Sequence, residues 1–435
     1  MSKDLIFIFE FVSGGGFSQV NIPTSLFCEG FGMLRSIIAD FKALGFEIHT
    51  LLDLRIFFLS KFLQADVIRK VDEHENYLKA FKNLVKTCKY VFIIAPETSK
   101  ILYELTKLVK NYNKVILSTN LYGIKNGTSK IMTYNFFKKN GILTPKTYRI
   151  PYKKKKLDKE FILQKFKTLK CPIVIKPEDG VGAESIHYFE KESEILNFLR
   201  SSKVNSDKTG YFILQEFIKG EDLSISLIGH QNLDAIPIVL SVNSQDINIK
   251  NIKSEYFGGS TPLVNHVEII KQIYNILKKI NLLKIVGYFG IDFIQKHDRS
   301  FNFIEINPRL TTSYIGLRNV INMNCAELIF NSRFNLLNDP EINLLYHSNF
   351  TRLDFLYDDF ENVEEPYEEL MPKFIKMIPE FVTPPISLDN SKYFSCFIAT
   401  KTKDFLSSEI RVNEIIQSMK NLNFNISIPR KIKLS

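Results

Sequence analysis

Residues Phe301-Asn302-Phe303-Ile304-Glu305-Ile306-Asn307-Pro308-Arg309 place a carboxylate, an amide and a guanidinium in order at the end of a short apolar run. In an extended segment, residues two apart point to the same face, so Glu305 and Asn307 share one. Just upstream, Gly287-Tyr288-Phe289-Gly290-Ile291-Asp292-Phe293-Ile294 reads as a partner strand carrying a lone Asp. A hairpin over Lys284 to Ile306 brings Asp292 and Glu305 onto adjacent strands. Two carboxylates with a neighbouring amide suit Mg²⁺, which takes its remaining ligands from water and phosphate oxygens. Read alone, both acids are equally well explained as strand-end polar residues.

The chain further upstream adds the other parts of a nucleotide site. Tyr211 to Gly229 reads YFILQEFIKGEDLSISLIG: an apolar strand, a connector with Gly220, then an alternating strand. Such a connector offers backbone N–H and C=O to an adenine edge, while Asp222, with Glu221 beside it, is placed to accept from ribose hydroxyls. Cys171 to Pro177 reads as a strand ending in Lys176, followed by Glu178-Asp179-Gly180-Val181-Gly182-Ala183-Glu184-Ser185. Gly180 and Gly182 let backbone approach phosphates closely, and Lys176 supplies a point charge. Lys130 opens a helical stretch that closes at Gly141, with extended chain resuming near Pro145.

In this order (Lys130 before GILTPKT, then IKPEDGVGAES, QEFIKGED, GIDF and FIEINPR), the motifs resemble the ATP-grasp superfamily of ATP-dependent carboxylate-amine ligases, over roughly residues 120 to 330. The resemblance implies that Lys130 and Lys176 contact ATP phosphates and that the Gly180 to Gly182 loop covers them. It implies that Gln215, Glu216, Phe217 and Ile218 form the adenine hinge, and that Asp292, Glu305 and Asn307 bind Mg²⁺ or Mn²⁺, as a pair of ions. Glu178, Asp179 and Glu184 depart from the more glycine-rich versions of that loop. Phe7 to Gly16, Ile22 to Leu26 with Glu29 to Leu34, and Tyr256 to Pro262 resemble the group that includes the tyramine:glutamate ligase of methanofuran biosynthesis.

The implied chemistry is amide formation through an acyl phosphate, with release of ADP and phosphate. A substrate carboxylate is weakly electrophilic, ATP activates it, and an amine then attacks. Glutamate and tyramine are the implied acid and amine. Arg309, a planar fork just beyond the metal ligands, suits the carboxylate and the intermediates that follow; a structural Arg paired with a nearby acid is the alternative. No Ser or Cys with a partner His is evident, so positioning and electrostatics carry the rate. Acyl phosphates hydrolyse readily, so residues 145–215 are expected to close as a lid. A regulatory ATP-binding protein of the same fold and a carboxylase-type enzyme are the competing readings.

The expected architecture is mixed α/β and α+β. Buried strands over Leu5 to Phe11, Glu47 to Leu52, Tyr90 to Ala95 and Lys114 to Ser118 alternate with helices around Phe31 to Leu44, Glu73 to Lys86 and Ser99 to Lys110. That pattern gives a parallel α/β pre-ATP-grasp domain over residues 1–125. A two-lobed ATP-grasp domain follows over 126–335, and a small appended α+β unit over 336–435. Ligands lie at the carboxyl ends of parallel strands, so Glu10 and the turn Ser13 to Gly16 are substrate-side candidates. The segment Phe257 to Pro262 is expected to be a turn whose Gly258 and Gly259 amides face substrate. Val382 to Ile386, with Pro384 and Pro385, reads as a break.

Composition bounds the function classes. The 435 residues include 45% hydrophobic side chains and no apolar run that approaches the roughly 20 residues of a spanning helix, so no membrane role is expected. Five scattered cysteines without a C-x-x-C pair, and an N-terminus lacking a small-residue cleavage site, fit a cytoplasmic protein. The formal charge of +10 raises nucleic acid as a partner. Its lysine runs, such as Lys153 to Lys156, lack interleaved stacking aromatics, so small-molecule acid and amine partners are preferred. The seven histidines form no zinc motif. Monomer and homodimer are both left open.

Overall fold

The computed structural model describes residues 4–153, 155–180, 186–201, 210–232, 236–249, 254–337, 340–357, 367–388 and 392–426. The N-terminal sheet contains β1 (Leu5–Glu10), β2 (Glu47–Asp53), β3 (Val67–Val71), β4 (Tyr90–Ile94) and β5 (Val115–Ile116), all parallel in the order β3-β2-β1-β4-β5. Helices α1 (Thr24–Ala43), α2 (Tyr77–Thr87) and α3 (Ile101–Asn111) cover it. Of the central strands, β4 is apolar throughout and β1 is apolar up to Glu10, as suits strands covered on both faces, while β2 also carries Glu47, His49, Thr50 and Asp53. Edge strand β3, VIRKV, is mostly half-exposed and charged, and therefore carries no such signal. Helix α1 starts well before Phe31, with Gly30 and Gly32 inside it. Each allows close packing: a Cβ on Gly30 would lie 2.8 Å from the Glu10 carboxylate.

Two helices, α4 (Leu121–Gly127) and α5 (Lys130–Lys139), lead into an antiparallel lobe. It holds β6 (Thr147–Arg149), the small hairpin β7 (Tyr152–Lys153) and β8 (Lys156–Leu157), α6 (Lys159–Leu169), β9 (Ile173–Pro177), β10 (His187–Phe189), α7 (Glu192–Ser201) and β11 (Phe212–Glu216). Its sheet runs β10-β9-β11-β6 and encloses a small core of its own.

Next come β12 (Glu221–Gly229), β13 (Ile238–Ser244), the hairpin β14 (Ile247–Asn248) and β15 (Glu255–Tyr256), β16 (Gly258–Thr261), α8 (His266–Ile280), β17 (Gly287–Gln295) and β18 (Phe301–Asn307). The antiparallel sheet β13-β12-β17-β18 buries Leu223, Ile225, Phe289, Ile291, Phe293 and Phe303 against α8. Its other face is polar. Helices α9 (Tyr314–Val320) and α10 (Cys325–Arg333) return to the N-terminal core.

The C-terminal region is not a separate appendage. It contains β19 (Ser348–Tyr357), α11 (Tyr367–Met377), β20 (Phe381–Ile386), β21 (Tyr393–Ala399), α12 (Phe405–Lys420) and β22 (Phe424–Ile426). Strand β16 completes its sheet by pairing with β19, and Phe350, Ile386 and Phe397 join the N-terminal core. Arg35 of α1 donates to the carbonyls of Phe381 and Val382. The Pro384-Pro385 segment expected to break the chain lies in β20, at the sheet edge, where a missing N–H is tolerated. Among the described residues no helix is long and apolar enough to cross a membrane.

Candidate active site

The polar face of the β13-β12-β17-β18 sheet is the floor of the site. Asp292 sits opposite Glu305 on β18 and opposite Ser224 on β12, while Asn307 pairs with Gly290. The side-chain period of two places Asp222, Ser224, Asp292 and Glu305 on this face. Asn307 Nδ2 and Gln245 Nε2 donate to the Asp292 carboxylate at 2.9 and 3.1 Å. On the Glu305 side, Lys130 Nζ and Lys176 Nζ lie 3.2 and 3.7 Å from Oε2, and Lys130 also donates to the Gly180 carbonyl at 2.7 Å.

The electrostatics divide the two acids. Burial, then the charge of Glu305, raises the pKa of Asp292. Half-buried Glu305 is also disfavoured in its charged form by desolvation, but the two lysines outweigh that penalty and hold its pKa below the usual value. Burial pulls the Lys176 pKa down. Asp292, Glu305 and the Asn307 side-chain oxygen form a donor set of hard oxygens that fits Mg²⁺: an acid kept proton-loving by a like charge is relieved when a cation arrives. Among the described residues, no group of three His, Cys, Asp or Glu side chains forms a complete cage. A cation that completes its shell from phosphate and water does not require one.

Opposite this floor stands the antiparallel lobe. Glu178 accepts from Arg149 Nε and Nη2, each at 2.7 Å, and from Ser129 Oγ, while Asp179 accepts from the Ser99 amide at 3.0 Å. Two of the three acids that depart from a glycine-rich loop therefore tie its base to β6, to the start of α5 and to the N-terminal domain. Gly182 and Glu184 lie outside the described residues. Gln215 is buried and donates to Thr147 Oγ1, Glu216 accepts the Lys146 amide, and the Phe217 amide bonds Pro172. The hinge side chains thus fix the lobe, and half-buried Ile218 ends the segment between the two sheets. Of the two ribose candidates, Asp222 shares the Asp292 face. Glu221 pairs with Gln295 on the opposite face and lines a cavity of about 330 Å³ beside α8, so its neighbourhood is not the site floor.

A pre ATP-grasp 3 domain model matches residues 47–122, and an ATP-grasp domain model matches residues 128–313. The tyramine–L-glutamate ligase of Methanocaldococcus jannaschii is 30% identical over 342 residues, which cover 77% of this chain and 91% of that one. The chain belongs to the ATP-grasp ligase family. Among solved structures, the biotin carboxylase domain of the Hydrogenobacter thermophilus 2-oxoglutarate carboxylase superposes with TM-score 0.70 at 12% identity, over 98% of this chain and 91% of that one. The L-amino acid ligase of Bacillus licheniformis gives 0.64 at 14%, over 98% and 99%. At such identities the likeness concerns the fold.

At the other end of this ATP-grasp floor, the Arg309 side chain is 12% exposed and its Nε lies 3.1 Å from both oxygens of Glu97, a residue that sequence reasoning missed. The alternative reading of Arg309, pairing with an acid, is thus realised in the structure. Burial opposes its charge, but Glu97 and then Asp292 hold the pKa above its ordinary value. Glu10 lies buried at the carboxyl end of β1 and accepts the Val12 and Ser13 amides at 2.9 and 2.7 Å, so it caps the glycine turn. Burial raises its pKa. Ser13 is buried in that turn. Gly258 and Gly259 form no turn. They lie inside β16, where an added Cβ would come within 2.0 Å of the Phe350 carbonyl oxygen and 1.9 Å of the Ser244 carbonyl oxygen. Close backbone approach, with a φ of +112° at Gly258, explains these glycines, and the expected turn is replaced by a strand.

Proposed function

We propose that this ATP-grasp enzyme binds ATP with Mg²⁺ between the antiparallel lobe and the polar floor, and joins a carboxylate to an amine through an acyl phosphate. A substrate carboxylate oxygen attacks the γ-phosphorus, the bond to the bridging oxygen breaks, and ADP leaves. The amine nitrogen then attacks the acyl carbon, phosphate leaves, and the nitrogen loses a proton. The observation that carries this reading is the meeting of Lys130 and Lys176, from separate elements, with Glu305 beside Asp292. Lysines held on a carboxylate are ready to exchange it for phosphate oxygens.

Asp292, Glu305 and Asn307 would hold Mg²⁺, which when bound neutralises charge on the phosphate oxygens. Lys130 and Lys176 position the phosphates, and Asp222 accepts from the ribose. The lobe anchored by Glu178 and Asp179 excludes water. The likeness to the M. jannaschii ligase favours glutamate as the acid and tyramine as the amine. Incubating the protein with ATP, Mg²⁺ and pairs of amino acids and amines, with ADP release and product mass as readouts, tests the reading. ADP and a condensed mass are expected with glutamate and tyramine; absence of ADP with every pair overturns it.

A further inference from the structure

Asp292 and Glu305 are neighbours across the floor, yet they are held by opposite kinds of donor. Two lysines stand beside Glu305, whereas Asp292 is held by amides: Asn307 Nδ2 donates to its Oδ2 at 2.9 Å and Gln245 Nε2 to its Oδ1 at 3.1 Å. An ionised carboxylate only accepts, and each of its oxygens keeps a further lone pair after one such bond. A neutral donor on each oxygen therefore fixes the plane of the carboxyl group without cancelling its charge. Asn307 belongs to the proposed ligand set through its side-chain oxygen. Gln245 does not, and no step of the proposed reaction uses it.

Gln245 directly follows β13, and the backbone around it is pinned from several sides. Its own amide donates to the Asp222 carbonyl of β12 at 2.9 Å. On one flank, Ser244 Oγ lies 2.8 Å from Ser260 Oγ and accepts from the Ser260 amide at 3.0 Å. On the other, the Asp246 amide donates to the Gly258 carbonyl at 2.8 Å, and the Asp246 carbonyl accepts from the Phe257 amide at 2.9 Å. The absence of a side chain on Gly259 lets β16 come this close to the Ser244 carbonyl. Backbone bonds thus close the turn by themselves, and the Gln245 side chain is not required to hold it. We propose that Gln245 is a positioning residue for the cation: by donating to Asp292 Oδ1 it fixes the direction in which the ionised carboxylate presents its remaining lone pairs, and so sets the Mg²⁺ affinity of the site. A lysine at this place would hold the carboxylate equally well but would neutralise the charge that the cation needs. The inference rests on the reading of Asp292 as a cation ligand.

The test uses full-length protein, Mn²⁺ as a paramagnetic probe and a non-hydrolysable ATP analogue. Electron paramagnetic resonance reads Mn²⁺ uptake with the analogue saturating, and fluorescence reads binding of the analogue alone with EDTA present. Gln245→Met keeps the length of the side chain but not the donor. It should weaken Mn²⁺ binding by about tenfold or more, the usual effect of removing a partner of a metal ligand, while the metal-free affinity for the analogue stays within about twofold of wild type. Gln245→Asn, whose amide falls one methylene short of Asp292, should do the same, and it carries the test if urea unfolding shows that Gln245→Met is not folded. A smaller loss of Mn²⁺ affinity overturns the proposal. So does a parallel loss of metal-free analogue binding, which a merely structural glutamine would give. In both cases wild type still takes up Mn²⁺ and the cation reading stands. Wild type that shows no analogue-dependent Mn²⁺ uptake overturns the cation reading, and the positioning role falls with it.

Discussion

Glu97, from the loop that follows β4, holds Arg309 by its Nε with both carboxylate oxygens at 3.1 Å, and so joins the N-terminal domain to the segment just beyond β18. Removing one partner leaves the other charged, buried and unpaired, a penalty of about 3 to 5 kcal/mol. The pair can be structural, or it can aim the arginine at substrate, and a double-mutant cycle separates the two. Arg309→Ala and Glu97→Ala should each lower thermal stability. The double variant should regain much of the stability yet remain inactive in ADP release. Recovery of activity in the double variant would make the pair structural only.

Asp292 and Glu305 face each other across the β17–β18 ladder, which defines the second prediction. Asp292→Asn or Glu305→Gln should abolish product formation and weaken Mg²⁺-dependent nucleotide binding, and chelation with EDTA should do the same to wild type. Lys176→Ala should raise the KM for ATP roughly thirtyfold, the equivalent of one charge-assisted hydrogen bond of about 2 kcal/mol. Steady-state kinetics at varied ATP and Mg²⁺ check all three. An unchanged ATP requirement in Lys176→Ala would remove its phosphate role.

Protonation should compete with the cation. Burial and the charge of Glu305 raise the Asp292 pKa, so in the metal-free protein this carboxyl keeps its proton to a higher pH than an ordinary aspartate. A bound cation requires the ionised form, so Mg²⁺ affinity should fall as pH drops below neutral and plateau above it. Titration of Mg²⁺ by calorimetry from pH 8 to pH 5.5 measures this. Asp292→Asn should flatten the dependence along with weakening it.

What was legible in the sequence depended on whether a residue's partner lay nearby in the chain. The alternation Glu305-Ile306-Asn307 displays its two faces without help from elsewhere, and the apolar runs of β4 and of β1 up to Glu10 announce burial on both sides. Strand β3 was hidden because an edge strand needs no apolar run. Gly258-Gly259 read as a turn because two glycines usually mark one; only the approach of β19 and Ser244, with a φ of +112° at Gly258, shows that they are strand residues with no room for a side chain. Gln245 on Asp292 and Glu97 on Arg309 connect residues 47 and 212 positions apart, and no local spacing encodes them. Gln215 belongs to the expected hinge, but its side chain goes to Thr147, since pairing with β6 and β9 commits this strand to the lobe.

The last prediction concerns the seam between the ATP-grasp sheet and the C-terminal region. His347 is buried just ahead of β19, and its amide and carbonyl both pair with Thr402. Burial pushes its pKa down from 6.5 to about 4. Between these values the folded protein keeps the imidazole neutral while the unfolded chain takes up a proton, so acid favours unfolding. Stability is fully present above about pH 6.5 and is lost as pH falls toward 4, at up to about 1.4 kcal/mol per pH unit for one proton. Urea unfolding of wild type and His347→Gln at pH 7.5, 6.0 and 5.0 checks this. The variant should be less sensitive to acid over that window, because other carboxylates contribute equally to both proteins and only the histidine's share disappears. Parallel pH profiles would show that His347 titrates normally and that its surroundings do not exclude the charged form.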